Sequence, residues 1–352
     1  MVFYEVNFIK SIMKQEIYQK TEEQKEISRE KTINSSPEND RRNFIKKAAL
    51  GALGTGAMLL NPFPGRSTPV SNVTSAPKTP VIDTHIHCFA GPSDSRFPYH
   101  EKAPYKPETI VSPEQLLICM NGAGVDFGVI VSPEPYQDDH RYLEYCLEAG
   151  KGRLKGTILI FCDRPGSMEK LPRLAKRGDI IATRIHAYLP DRLPPFGKPE
   201  LRQLWKLAAD NGLAVQLNIE PRYAEGFEPL IREFRNVPVI IDHLGHPLQA
   251  RSPQEYSIIE RWGDLPNTII KLSSLGVISD HPDPEIKPFV NQMITAYGLE
   301  RMIWGSEFKD KSTPESYRAA LDYARSFLAK FSREDQEKVF GGNASRLLCR
   351  GW

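Results

Sequence analysis

From residue 81 onward, eight short β-rich runs alternate with longer segments of helical period, and this alternation constrains the fold more than any other feature of the chain. The runs cover 81–87, 125–132, 154–161, 180–187, 213–219, 238–243, 268–273 and 301–306. Helical segments such as 113–121, 139–149, 199–211 and 284–297 lie between them. A strand that is followed each time by a helix returns to the same end of the sheet, so neighbouring strands run parallel. Eight such units predict closure into an α/β fold, a (β/α)8 TIM barrel. The alternative is an open, doubly wound sheet. That fold usually carries a glycine-rich phosphate loop after its first strand, and none follows His87.

The alternation accounts for residues 81–352 of a 352-residue chain, a size that suits one barrel. Residues 1–60 read as an extension ending in an export signal. Arg41 and Arg42 stand just before Phe44, and a glycine-containing apolar run from Ala48 to Leu60 follows. The arginine pair resembles a twin-arginine signal, with Asp40 and Ile45 where Ser/Thr and Leu are usual. The expected location is therefore the periplasm, with signal cleavage and retention as an anchor both open. At 13 residues the run is too short for a stable membrane span. Residues 61–80, rich in Pro, Ser and Thr, read as a linker. A net charge of +2 provides no broad field for nucleic acid, which leaves a small molecule as the expected partner. Five cysteines without a CxxC pair point away from a disulfide scaffold or a cysteine zinc site. They read as buried thiols, Cys88 excepted.

In a barrel of this kind the working residues sit at the carboxyl ends of the strands. Strand one ends Asp83-Thr84-His85-Ile86-His87, and residues two apart on a strand share a face. His85 and His87 can therefore hold one divalent metal together, or polarise a substrate carbonyl or carboxylate. Strand four ends with another two-apart pair. Arg184 offers a planar fork for a substrate carboxylate or for a structural acid, and His186 a ligand or hydrogen-bond donor. Arg192 follows in a proline-rich loop, over the mouth or out in solvent. Strand five offers Asn218 and Glu220 but no histidine; strand six offers His243, with His246 on the next loop. Lys271 and Ser273 on strand seven suit the barrel interior or the site equally. Glu307, after strand eight, is a candidate general base or metal ligand. His100, His140 and His281 have no partner at useful spacing and read as surface residues.

Three motifs in order, Asp83-Thr84-His85-Ile86-His87, Asp242-His243-Leu244-Gly245 and Trp304-Gly305-Ser306-Glu307, resemble the amidohydrolase superfamily. The similarity is greatest to its amidohydrolase-2 branch of lactonases and decarboxylases, whose closing helix Gly342-Asn343-Ala344-Ser345-Arg346-Leu347-Leu348 also resembles. Within the branch the chain looks most like the 2-pyrone-4,6-dicarboxylate lactonases and sugar lactonases. Arg96-Phe97-Pro98-Tyr99, Arg184 and Arg192 fall where that group has similar residues. The resemblance implies that His85, His87 and His243 polarise a lactone carbonyl, that arginines hold substrate carboxylates, and that Glu307 activates water. It also implies a divalent metal, zinc foremost, on His85, His87, His243 and Glu307, or else metal-independent chemistry. Two departures bear on this. Metal-dependent members commonly carry a strand-five histidine, where this chain has Asn218-Ile219-Glu220, and the usual strand-eight acid is Asp rather than Glu. The expected function is lactone hydrolysis. Metal-dependent decarboxylation of an aromatic or unsaturated acid, and ligand binding without catalysis, are the alternatives.

Overall fold

The computed structural model describes residues 78–275, 283–308 and 312–348. The export signal, most of the linker, His281 and Cys349 lie outside the described residues. Eight strands run β1 Ile82–Ile86, β2 Phe127–Val131, β3 Leu154–Leu159, β4 Ile180–Ala187, β5 Ala214–Ile219, β6 Val239–Ile241, β7 Thr268–Leu272 and β8 Met302–Trp304. Each pairs in parallel with the next, in sequence order. The sheet closes on itself where Ile86 bridges Phe308 and where Glu307 N donates to His85 O at 2.9 Å. This is the (β/α)8 barrel that the alternation predicts. An open doubly wound sheet would reverse its strand order part-way, and this one does not.

The helices form an outer ring, and several begin and end where local chemistry dictates. Helix α1, Pro113–Ala123, starts with Ser112 accepting from Gln115 N and Pro113 in the first turn; it stops at Gly124, which takes φ 74°. At Pro314–Ser326, the last long helix, Thr313 and Ser316 cap each other reciprocally.

Alternation along the strands sorts the barrel interior into layers. The lowest is apolar: Ile82, Val129, Ala182, Ala214, Ile240, Ile269 and Ile303 pack together and meet Ala344 of the closing helix. Burying each isoleucine contributes roughly 1.5–3 kcal/mol. Asn343, beside Ala344, donates to Met302 O at 2.8 Å and fixes that helix under the barrel. The next layer up turns polar from β3 to β7, with Thr157, Arg184, Gln216, Asp242 and Lys271, all buried. The next step up is the mouth.

Strand β1 departs from simple alternation. Its register with β2 shifts between Asp83 and Ile86. Ile82 belongs to the interior plug, whereas Ile86 packs outward in the main core. The irregularity re-aims the chain so that His85 and His87 both turn inward. Asp83 is left to hold the seam: it accepts from His85 N and Ser306 N, each at 2.9 Å, and from Tyr317 Oη at 2.5 Å.

Candidate functional site

His85, His243 and Glu307 meet at the mouth between β1, β6 and β8, with one donor atom from each lying within 4.8 Å of the others. His243 Nε2 is 3.4 Å from Glu307 Oε1, and its Nδ1 is 2.9 Å from Ser273 Oγ. The backbone is unusual here. His243, Leu244, His246, Ser274 and Glu307 all take φ between 54° and 60°, a left-handed conformation that costs non-glycine residues about 1–3 kcal/mol. Gly305 lets this wall close, because a Cβ there would lie 2.5 Å from His85 Cβ. His87 is adjacent but outside the three-residue cluster, its Nε2 3.2 Å from that of His85.

The proton positions follow from the partners. Val131 O, 2.9 Å from His87 Nδ1, can only accept, so that nitrogen carries the proton and His87 Nε2 is an acceptor. His85 Nε2 then donates to it, leaving His85 Nδ1 bare and facing Lys271 Nζ at 3.3 Å. Burial, with Lys271 next, holds His85 well below the usual imidazole range; burial and Arg184 bring His87 down to about 3. Burial, with His85 next, likewise depresses His243. All three rings are neutral at physiological pH.

Beneath them lies a charged tier made entirely of buried groups. Asp242 accepts from Arg184 Nε at 3.0 Å and from Gln216 Nε2 at 2.9 Å, and pairs with Lys271 Nζ at 3.0 Å. Burial opposes its charge, but Lys271 and Arg184 hold the carboxyl well below its ordinary range. Lys271 also donates to Thr84 O at 3.0 Å. This lysine thus belongs to both the barrel interior and the support of the site.

The opposite wall, from β2 to β4, is built differently. Glu134, just past β2, lies 3.1 Å from both His186 Nδ1 and Arg192 Nη1, and accepts from the Tyr188 hydroxyl. Burial would raise its pKa, but His186, Tyr188 and Arg192 bring it down to about 2. His186 is nine-tenths buried, and neither ring nitrogen has an aligned hydrogen-bond partner. A cavity of about 150 Å³ opens against this wall, lined by Glu134, Phe161, Arg164, Arg184, His186 and Arg192 among others. Both arginines singled out for substrate are thus already matched by an acid of the protein, Arg184 by Asp242 and Arg192 by Glu134. The third, Arg164, lies flat on Phe161 at 3.4 Å and donates to Gln137.

The remaining expectations divide. His246 faces the mouth on Asn218, at 2.8 Å, so β5 supplies a hydrogen bond where a histidine ligand was sought. Glu220 pairs with Arg222 at 2.6 Å and stands outside the cluster of potential ligands. Arg96 pairs with Asp94 at the surface. Two readings need correction. His140 is buried rather than exposed, its Nε2 held between Leu159 O and Leu159 N, because the loop after β2 folds it under β3. Cys88 is buried too, since the face opposite the histidines is packed by helices rather than open. Glu134 was missed. Its signal was an acid between two prolines directly after an apolar strand.

The profile of the amidohydrolase (Amidohydro_2) family matches residues 82–350. L-fucono-1,5-lactonase of Burkholderia ambifaria is 26% identical over 288 residues, covering 75% of this chain and 93% of that protein. The uncharacterized protein y4mH of Sinorhizobium fredii is 28% identical over 152 residues, 42% of this chain, and the match spans half of y4mH. Among solved structures, a probable 2-pyrone-4,6-dicarboxylic acid hydrolase from Acinetobacter baumannii superposes with a TM-score of 0.64 at 20% identity, over 76% of this chain and 98% of that one.

Proposed function

The chain belongs to the amidohydrolase family, and from that premise we propose that it opens a lactone or related cyclic ester of a small sugar or carboxylated acid. The observation that carries this reading is the convergence of His85, His243 and Glu307. The similarity to a lactonase along 93% of that relative's length supports it.

Glu307 is the general base. It takes a proton from water as the water oxygen bonds to the lactone carbonyl carbon. The His85 Nε2 proton, now shared with His87, is placed to stabilise the developing oxyanion, and donors aimed at such charge typically contribute 10²–10³-fold. When the ring C–O bond breaks, the departing oxygen recovers the proton from Glu307. His243, tied to Ser273, orients the carboxylate.

The donor set also fits a divalent cation of the zinc type, because two imidazoles kept neutral and one carboxylate are the ligands such an ion takes. His85, His243 and Glu307 would hold it, and when bound it supplies Lewis-acid polarisation of the carbonyl. Ligation through His85 Nε2 requires the ring proton on Nδ1, where Asp242 Oδ1 stands at 3.6 Å.

The test is purified protein on a panel of neutral and carboxylated lactones, with elemental analysis of the same preparation. Ring opening is expected, and it should fall at least 10²-fold in His243→Ala. Carbon dioxide release from aromatic or unsaturated acids, with no ring opening, would instead identify a decarboxylase.

A further inference from the structure

We infer that Glu134 is a specificity-determining residue that cancels the charge of Arg192 and so selects a neutral, polyhydroxylated lactone over a carboxylated one. This rests on the reading of the site as a lactone hydrolase and adds which class of lactone it takes.

A pocket for a substrate carboxylate needs a cation that does not already face a carboxylate of the protein. Arg192 does not meet that requirement, because Nη1 lies 3.1 Å from Glu134 Oε1 and Nη2 lies 3.2 Å from Tyr188 Oη. Arg184 does not either, with Nε and Nη2 at 3.0 and 2.8 Å from Asp242 Oδ2. An incoming carboxylate would displace a buried carboxylate of the protein, or sit beside it and be repelled.

Hydroxyl groups face a different surface. Glu134 presents acceptor oxygens, Tyr188 a phenol, and His186 two ring nitrogens without an aligned partner, against the wall of the cavity of about 150 Å³. A hydroxyl both donates and accepts, so it can satisfy a carboxylate and a neutral imidazole together. Leaving such a buried polar group unpaired disfavours any ligand that lacks the hydroxyl. Arg164 is the one arginine of this cavity with no carboxylate partner among the described residues, and it therefore defines the competing outcome.

The experiment compares two lactones with the same ring, a neutral aldono-1,5-lactone and its counterpart carrying a terminal carboxylate. Affinities for the corresponding unreactive lactams are measured alongside. A hydrogen bond to a charged group corresponds to roughly 10- to 100-fold in affinity, so the wild type should favour the neutral member of each pair by at least about tenfold. Glu134→Gln should move that ratio toward the carboxylated member by a similar factor. Glu134→Gln with Arg192→Gln should restore the preference, because the charge is again balanced. Lactam discrimination without turnover of either lactone would refute the hydrolase reading and leave this inference standing. Turnover without charge preference would overturn the inference alone. So would a wild-type preference for the carboxylated member that is lost in Arg164→Met, or failure of both lactams to bind. The wild-type lactam comparison needs no variant and decides the matter even where a substitution impairs folding.

Discussion

The two walls of the barrel mouth use similar side chains for different ends. Between β6, β8 and β1, imidazoles and one carboxylate converge with their donor atoms within 4.8 Å, on backbone held in the left-handed region. Between β2 and β4, a phenol and an arginine are bonded to an acid, an imidazole lies against that acid without an aligned hydrogen bond, and a cavity opens beside them. The first wall concentrates the groups that the proposed hydrolysis would use at the carbonyl. The second has already satisfied its charges and offers polar edges to whatever lies against it. What separates them is therefore how their charges are paired, not which residues are present.

The charged tier under both walls is where the comparison breaks most severely. Asp242→Asn would leave Arg184 and Lys271 buried without a carboxylate between them. Removing one member of such a network costs about 3–5 kcal/mol. Urea unfolding should show that loss; an unchanged midpoint would mean the tier is decoupled from the fold. A smaller effect belongs to the second wall. His186→Ala should raise KM roughly tenfold and leave kcat within about threefold, since His186 touches the cavity and not the cluster. A fall in kcat at constant KM would place it with the first wall instead.

A further effect is on stability against pH. His87 is brought down to about 3, and His140 and His246 to about 4, all chiefly by burial. An unfolded imidazole titrates near 6.5. Above about pH 7 both states are neutral and the groups are silent. As pH falls from about 6.5 toward 4, the unfolded chain binds protons that the native state refuses, so stability declines. Thermal unfolding should show a Tm several degrees lower at pH 5 than at pH 7.5. Equal values at the two pH values would show that these rings take up protons in the native state.

Much of this molecule was legible in its sequence, for a physical reason. Residues two apart on a strand share a face, so His85 with His87 and Arg184 with His186 could each be paired from spacing alone. All eight strands lie within the segments that alternate with helical period. What could not be read depends on partners distant in the chain. Arg184 and Lys271 both turn to Asp242, 58 and 29 residues away in sequence. Glu134 belongs to a loop, and only the fold brings it to Arg192. The register shift in β1 has no signature in a run that alternates acceptably either way. His140 looked exposed because its helix-start context says nothing of the strand that covers it.

Steady-state kinetics of Glu307→Gln on the best lactone substrate test the division between the walls most directly. The amide keeps the shape of the side chain but cannot take a proton from water, so kcat should fall by roughly 10²–10⁴ with KM within about threefold. Retained kcat, or a loss confined to KM, would contradict the account and move Glu307 from the reacting wall to the binding one.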